Sequence, residues 1–514
     1  MKITFLGHAG LYVETRHGSI LCDPWFNSAF FASWFPFPSN EELDPREFGS
    51  PDYLYVSHVH EDHLDRKFLR EHVSKDATVI LPDHPLNLVQ RELQALGFTR
   101  FVQTKTNLPL ELDGLRVMTV STVHPEDGPL GDSALAVDDG ETRIFDQNDA
   151  RPMRLDGARA FGHFDAHFVQ FSGAIWYPMR YRFPPQMKKA LGRKKRDMQM
   201  ARSLRFSRQI APDWIIPMAG PPCFLDDEFF DFNDFGDDPA NIFPDQLVYL
   251  DYMRAEGADN GRLMLPGSVA QLDPGRLEIE HRSDPEAIFG DKRSYLQAYR
   301  ERMRPCIEEE KDSWPRGEVE ILPALREWFE PVLELADRTA AAINGRVLLD
   351  CGSEQVVLDF WQRKVYAWEG DPCEYTFIFE QPLVEQLIND REENWVDTMF
   401  LSCRFEAERK GAYNEFVYGF LKCLSAERIA YAEGCYAEQV SEKEFFECDG
   451  YLVQRRCPHL KADLAQFGVV EDGVLTCRMH GWQFDLATGR CLTSDDRRLH
   501  SIPADQAAER ERTG

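Results

Sequence analysis

One short stretch near the end of the chain constrains the fold more than any other. Cys457-Pro458-His459 is followed, after 17 residues, by Cys477-Arg478-Met479-His480. Two thiols and two imidazoles at this spacing are a ligand set, and two chemistries use one of this kind. Two thiolates on one iron and two imidazoles on the other hold a [2Fe–2S] cluster, whose potential then lies at roughly −150 to +300 mV, well above that of an all-cysteine ferredoxin. The same two cysteines and two histidines also suit tetrahedral zinc. The flanking Gly473 and Gly481-Trp482-Gln483-Phe484-Asp485 bracket the second pair, and Cys491 stands alone.

The chain around this motif is long and acidic. Its 514 residues suggest two to four domains, and 43% apolar residues are enough to bury a large core. A net charge of −29 argues against nonspecific nucleic-acid or membrane-surface binding. The twelve cysteines are spread thinly, with no small-domain disulfide spacing. The opening apolar run, Ile3 to Gly7, is too short for a signal peptide, and no stretch reaches the ~18 apolar residues of a membrane span. The expectation is a cytoplasmic protein with no membrane insertion and no nucleic-acid partner.

A second motif lies near the start. Ser57-His58-Val59-His60-Glu61-Asp62-His63 follows Asp52-Tyr53-Leu54-Tyr55-Val56, a β-branched and aromatic strand. Three imidazoles and a carboxylate in six residues are hard to place in a core, because each polar group would need a partner. Further candidate strands are Ile3–Gly7, Ser19–Cys22, Arg143–Asp146 and Asp213–Met218. Residues 226–285 are acidic and read as loops wrapping the first domain, and 286–345 read as helical. Leu322, Leu325, Trp328, Phe329, Val332, Leu333 and Leu335 share an apolar face there. Three strands follow, over 346–350, 355–360 and 374–379, then helices near 382–390 and 411–425. Residues 186–209 predict a helix with nine lysines and arginines against one acid, Asp197. Such a helix is either a solvated face or an anion site in which Lys188, Lys189, Arg193, Lys194 and Arg196 meet a phosphate or carboxylate substrate.

The Cys457/His459 and Cys477/His480 pairs resemble the Rieske family, of the ferredoxin and oxygenase type, which makes Cys457, His459, Cys477 and His480 the ligands of a [2Fe–2S] cluster. The His58-x-His60-x-Asp62-His63 motif at a strand end resembles the metallo-β-lactamase fold. That resemblance implies one metal-ligand set from His58, His60 and His124 and a second from Asp62 and His63, with Asp146 between them. The family's last histidine falls where Ala219 stands, so the resemblance implies a site short of one ligand, which suits a mononuclear iron(II). His163 and His167 lie near in sequence and are either structural or stand in for the missing ligand. His8, in a turn after the first strand, is either structural or part of the site. The middle of the chain resembles a sterol-carrier-like α+β unit, a likeness that implies no lipid ligand. The expected architecture is therefore multidomain α+β. It comprises a metallo-β-lactamase-like αββα sandwich over 1–285, a mixed α/β scaffold over 286–440 and an all-β Rieske domain over 441–505.

A hydrolase needs no electrons, so the pairing of these two sites points to oxygen activation. The pairing, the segment Phe30–Pro38 and the overall layout resemble the actinobacterial UDP-N-acetylmuramate hydroxylase family. They also resemble, in parts, animal CMP-N-acetylneuraminate hydroxylases. That resemblance implies a monooxygenase acting in peptidoglycan biosynthesis, which hydroxylates the N-acetyl group of a nucleotide sugar with dioxygen. Asp62, His63 and Asp146 would manage protons or a second metal. No G-x-G-x-x-G follows a strand, so NADPH would act through a separate reductase or ferredoxin. Two alternatives stay open: a metal-dependent hydrolase or lactonase with a redox-regulatory Rieske domain, and an electron carrier whose N-terminal domain only docks partners.

Overall fold

Alternation along the first strands decides the N-terminal architecture. In the strand Tyr53–Tyr55, Tyr53 and Tyr55 join one core, while Leu54 and the following Val56 join another. A period of two puts successive side chains on opposite faces, so this strand is covered on both. In a computed structural model, residues 1–123, 128, 130–173, 175–437, 444–459, 462–479, 481–494 and 497–504 are described. They form two compact units. The first comprises Met1–Val123, Leu130–Trp176 and Gln186–Ser313; the second comprises Tyr177–Pro185 and the described residues from Trp314 onward.

The first unit is a sandwich of two sheets. Its strands are β1 (Lys2–Gly7), β2 (Gly10–Thr15), β3 (Gly18–Cys22), β4 (Tyr53–Tyr55), β5 (Thr78–Leu81), β6 (Phe101–Gln103), β7 (Leu110–Leu112), β8 (Leu115–Thr122), β9 (Asp132–Asp138), β10 (Arg143–Asn148), β11 (Ala166–Gln170), β12 (Trp214–Met218), β13 (Val269–Asp273) and β14 (Arg276–Glu280). One sheet has the order β14-β13-β1-β2-β3-β4-β5-β6, the other β12-β11-β10-β9-β8-β7. Ile3, Phe5, Val13 and Tyr55 from the first meet Val117, Leu135, Phe168 and Ile216 from the second in the central core. Each such side chain contributes roughly 1.5–3 kcal/mol by leaving water. Helices cover the two outer faces. Leu54, Val56 and Val79 pack on Phe68 and Leu93, and Val169 and Ile215 pack on Met200, Leu204 and Met253. The αββα sandwich of the metallo-β-lactamase fold is thus present.

The acidic stretch 226–285 departs from its loop reading. It contains the helix Gln246–Ala255 and the hairpin β13–β14, whose first strand pairs with β1. Strand β14 is an edge strand with no buried residue, so no apolar run announces it.

The second unit holds a five-stranded sheet in the order 364–367, 355–359, 346–350, 375–379, 405–409. On the helix Ile321–Leu335, Leu325, Trp328, Phe329, Val332 and Leu333 are buried at helical spacing. Two three-stranded sheets follow, the first from 445–448, 451–454 and 501–503, the second from 468–471, 474–477 and 482–485. Two of their hairpins turn on Asp-Gly pairs, Asp449-Gly450 and Asp472-Gly473, with every φ positive. This is the residue pair that a two-residue type I′ turn demands. Among the described residues no helix is long and apolar enough to cross a membrane.

Candidate metal centre and cluster loops

Strands β3, β4, β5 and β6 run parallel, as do β10, β11 and β12. Ligands of such sheets bind beyond the carboxyl ends of the strands, and the polar residues of the first unit gather there. His8 follows β1, Asp23 follows β3, His58–His63 follow β4, Asp132 opens β9, and Asp146–Asp149 end β10. Four non-glycine residues at these strand ends take positive φ: His8 at 52°, Asp23 at 38°, Asn148 at 38° and Ala219 at 49°. Residues held in this sparsely populated region concentrate at functional sites.

The hydrogen bonds orient the imidazoles. Asp23 accepts from Ser57 N (2.7 Å) and Ser57 Oγ (2.7 Å), and its Oδ2 lies 3.0 Å from His63 Nδ1. A carboxylate on Nδ1 fixes the tautomer and leaves Nε2 as a lone-pair donor. His58 Nδ1 is held in the same way, 3.2 Å from Asp132 Oδ1 and 2.9 Å from Ser57 Oγ. His63 Nε2 points between Asp62 (3.8 Å) and Asp149 (3.7 Å), and His8 Nε2 stands 2.9 Å from Asp62 Oδ2.

Two groups of ligand atoms result, each within 4.8 Å: His8, Asp62 and His63, and His58, His63 and Asp149. His8 Nδ1, Asp62 Oδ1, His63 Nε2, both Asp146 carboxylate oxygens and Asp149 Oδ1 are buried with no hydrogen-bond partner. Each such atom costs about 1–3 kcal/mol. One cation among them would satisfy all the groups it reaches, so the residues present fit a metal ion. The electrostatics agree. Burial lifts Asp146 well above the usual carboxylate range, and the Asp23 charge adds to it. Burial would lower His63, but Asp62, Asp23 and Asp149 outweigh it and bring the imidazole to about 10. Burial would raise Asp62, but His63 and His8 outweigh it and hold the carboxylate below its ordinary value.

The structure therefore draws the ligand sets differently from the sequence. His58, Asp62 and His63 belong to the ligand groups, while Asp146 is buried within electrostatic reach of His63 and Asp23 but belongs to neither group. His60 is half-buried, its ring 4.2 Å from that of His58. His124 lies outside the described residues. His8, Asp23, Asp132 and Asp149 complete the cluster, and no local motif marks them. His8 bears on the expectation that the centre lacks a ligand at Ala219. Ala219 N donates to His8 O (2.7 Å), so the strand end that would supply the last histidine lies against the strand end that supplies His8. His167 is structural. It is buried between Ser207 Oγ (3.1 Å) and Gln147 Oε1 (3.0 Å), and burial lowers it to about 3. His163 is exposed and pairs with Asp213 at 2.9 Å.

The basic helix forms as Pro185–Ile210, but its predicted anion-binding residues do not converge on the metal centre. Lys189, Arg193 and Lys194 are exposed and Lys188 is half-exposed. Lys189 lies 3.7 Å from Asp238, and Arg196 is buried against Asp234 at 3.1 Å.

In the second unit, Cys457 follows the strand Tyr451–Gln454 and Cys477 ends Val474–Cys477. Both thiols are buried. Burial drives the Cys457 thiol well above its ordinary value, and contact with Cys477 adds to it. His459 stacks on Trp482 at 4.2 Å and 12°. Its Nε2 meets Glu415, which also accepts from Arg497. Two facing thiols beside an oriented imidazole fit an iron–sulfur cluster; His480 lies outside the described residues.

Fold and site together define a protein that joins a metal-binding metallo-β-lactamase-like domain to a Rieske domain. Residues 2–145 match the Beta-lactamase superfamily domain, 321–438 the Rv3818-like, SCP2-like domain, and 440–503 the Rieske [2Fe-2S] domain. Rv3818 of Mycobacterium tuberculosis, whose name describes it as a Rieske 2Fe-2S iron-sulfur protein, is 49% identical over 515 residues, 98% of this chain and 99% of the relative. A similarly named protein of Mycolicibacterium smegmatis is 48% identical over 97% of this chain and 99% of its own length. The chain belongs to this Rv3818 family of Rieske 2Fe-2S iron–sulfur proteins. Among solved structures, CmlA, a diiron beta-hydroxylase from Streptomyces venezuelae, overlays with a TM-score of 0.33 at 17% identity, covering 53% of this chain and 54% of its own.

Proposed function

We propose that the protein is an oxygen-dependent monooxygenase that hydroxylates the N-acetyl group of a nucleotide sugar, converting UDP-N-acetylmuramate to UDP-N-glycolylmuramate for peptidoglycan. The observation that carries this reading is the pairing of a one-electron Rieske ligand set with a buried carboxylate–imidazole cluster of orphaned ligand atoms. A hydrolase would have no use for the first. The reaction balances as one C–H bond of the acetyl methyl broken and one C–O bond formed. The second oxygen atom leaves as water, with two protons and two electrons supplied.

An iron ion held by His63 with either His8 and Asp62 or His58 and Asp149 would supply dioxygen activation. Both ligand groups need His63, whose Nδ1 already serves Asp23, and one imidazole nitrogen ligates one ion. This favours a mononuclear centre. Asp23 and Asp132 keep His63 and His58 in the donor tautomer. The burial of the cluster excludes water. Asp146, the carboxyl most strongly lifted by its surroundings, is the group placed to hold and release a proton there. Electrons would come one at a time from the cluster at Cys457, His459, Cys477 and His480. A separate NADPH-dependent reductase or a ferredoxin in the cytoplasm would feed it.

A second reading, metal-dependent hydrolysis with redox control, is favoured by the match of residues 2–145 to the Beta-lactamase superfamily domain. One experiment separates the two. Anaerobically purified protein is assayed for iron, sulfide and the electron paramagnetic resonance (EPR) signal of the reduced cluster. It is then given UDP-N-acetylmuramate, oxygen and a reducing system, with mass spectrometry of the sugar. A product heavier by one oxygen, absent without reductant, is expected. Turnover that proceeds without oxygen would overturn the reading in favour of hydrolysis.

A further inference from the structure

The helix Pro185–Ile210 carries a second row of polar residues that the exposed cations conceal. Lys195, Gln199 and Arg202 stand at i, i+4 and i+7, on one face. Gln199 and Arg202 are 6% and 7% exposed. That face packs on the carboxyl end of β11. Ser203, next to Arg202, donates from Oγ to the backbone oxygen of Gln170, and Gly173 lies so close that a Cβ there would sit 2.0 Å from Gln199 Nε2. From the end of β10, Arg151 reaches the same place and donates from Nη2 to Gln170 Oε1 at 3.2 Å.

Three polar atoms at this place are buried and make no hydrogen bond: Arg151 Nε, Gln199 Oε1 and Ser172 Oγ. Ser172 faces Gly220, where a Cβ would sit 2.6 Å from its Oγ. The small residues Gly173 and Gly220 thus leave these groups room. Burial, and then the Arg151 and Arg202 guanidinium groups, lower Lys195 to about 7. Arg151 and Arg202 repel Lys195 in this largely covered place, and a polyanion among the three would be drawn to all of them. Arg151 is two residues from Asp149, a member of the metal-ligand groups, so whatever binds here lies next to the metal centre.

We propose that Arg151, Lys195 and Arg202, with Gln199 and Ser172, form an oxyanion subsite that takes the diphosphate of the nucleotide substrate. The proposal rests on the nucleotide-sugar reading above. It also explains a geometric requirement of that reading. In UDP-N-acetylmuramate the diphosphate is attached at C1 and the N-acetyl group at C2, so holding the diphosphate beside the metal centre brings the acetyl methyl toward it. The subsite differs from the exposed row Lys188, Lys189, Arg193 and Lys194 that the sequence suggests.

The test is calorimetric binding to the full-length, cluster- and iron-loaded protein without reductant or oxygen. The probes are UDP, inorganic pyrophosphate and uridine. UDP and pyrophosphate should bind and uridine should not. Arg151→Gln and Lys195→Gln should each weaken UDP binding by roughly tenfold or more, the usual effect of losing a charge-assisted hydrogen bond. Both positions are half-buried, so they report even if Arg202→Gln does not fold. Wild-type protein that ignores both phosphate probes would overturn the proposal, as would an equal loss in Lys189→Ala on the exposed face. Binding without sugar oxygenation would leave the subsite standing and sink the functional reading. Oxygenation with unchanged KM in Arg151→Gln and Lys195→Gln would do the opposite.

Discussion

The two candidate metal-binding regions of this molecule are built on opposite plans. The candidate cluster ligands among the described residues, Cys457, His459 and Cys477, come from two neighbouring loops of one small domain, steered by short strands and Asp-Gly turns. The metal centre of the first unit draws His8, Asp23, His58, Asp62, His63, Asp132, Asp146 and Asp149 from five strand ends spread over two sheets. A local site survives as long as its hairpins turn correctly. A distributed site survives only while every strand keeps its register, because a slip of one residue moves a whole face. The pair therefore shows two ways of holding a metal group, one set by turns and one by the whole sandwich.

The comparison breaks most sharply at the ligands. Cys477→Ser should abolish the EPR signal of the reduced cluster while leaving the metal content of the first unit unchanged, and His63→Ala should do the reverse. Loss of both groups in either variant would show the sites to be interdependent. A smaller effect tests how the distributed site is oriented. Asp23→Asn removes the carboxylate that His63 Nδ1 and Ser57 share, and first-unit metal affinity should fall about 10–100-fold in chelator competition. Unchanged affinity would mean that His63 is aimed by packing alone. The smallest effect concerns the sandwich itself. Burial holds His167 at about 3 against an ordinary 6.5. Between these values the unfolded chain binds a proton that the folded chain does not. Its contribution is complete above about pH 6.5 and is lost as the pH falls below it, at up to about 1.4 kcal/mol per pH unit. His167→Gln, which keeps both hydrogen-bonding directions, should flatten the fall in melting temperature between pH 6.5 and 5. An equally steep fall in the variant would place the acid sensitivity elsewhere.

What was legible in the sequence follows the same division. Cys457, His459, Cys477 and His480 stand out because the ligands are close in the chain, and so do His58, His60, Asp62 and His63. The alternation of Tyr53 to Val56 and the helical spacing of Leu325 to Leu333 announce the sandwich and the middle domain. Asp23, Asp132 and Asp149 are not legible, because each is a single carboxylate at a strand end and only the register of two sheets brings them to one point. His8 is of the same kind, an isolated residue whose relevance depends on β1 ending beside β12 at Ala219. The basic helix shows the reverse error. Its conspicuous cations face water or pair with Asp234 and Asp238, while the less conspicuous Lys195 and Arg202 face inward beside Gln199. Charge count alone does not reveal which side of a helix meets the protein.

One contact crosses the boundary between the SCP2-like and Rieske domains. Glu415, which meets His459 and Arg497, belongs to the helix Glu415–Leu421 of the SCP2-like domain, not to the segment 440–503. The anion beside one end of the cluster is therefore supplied by a neighbour in the chain. A negative charge so placed favours the oxidised cluster. A cluster domain excised at residue 440 would leave that charge behind and become the stronger oxidant. The middle domain thus supplies a charge that the cluster domain does not carry itself.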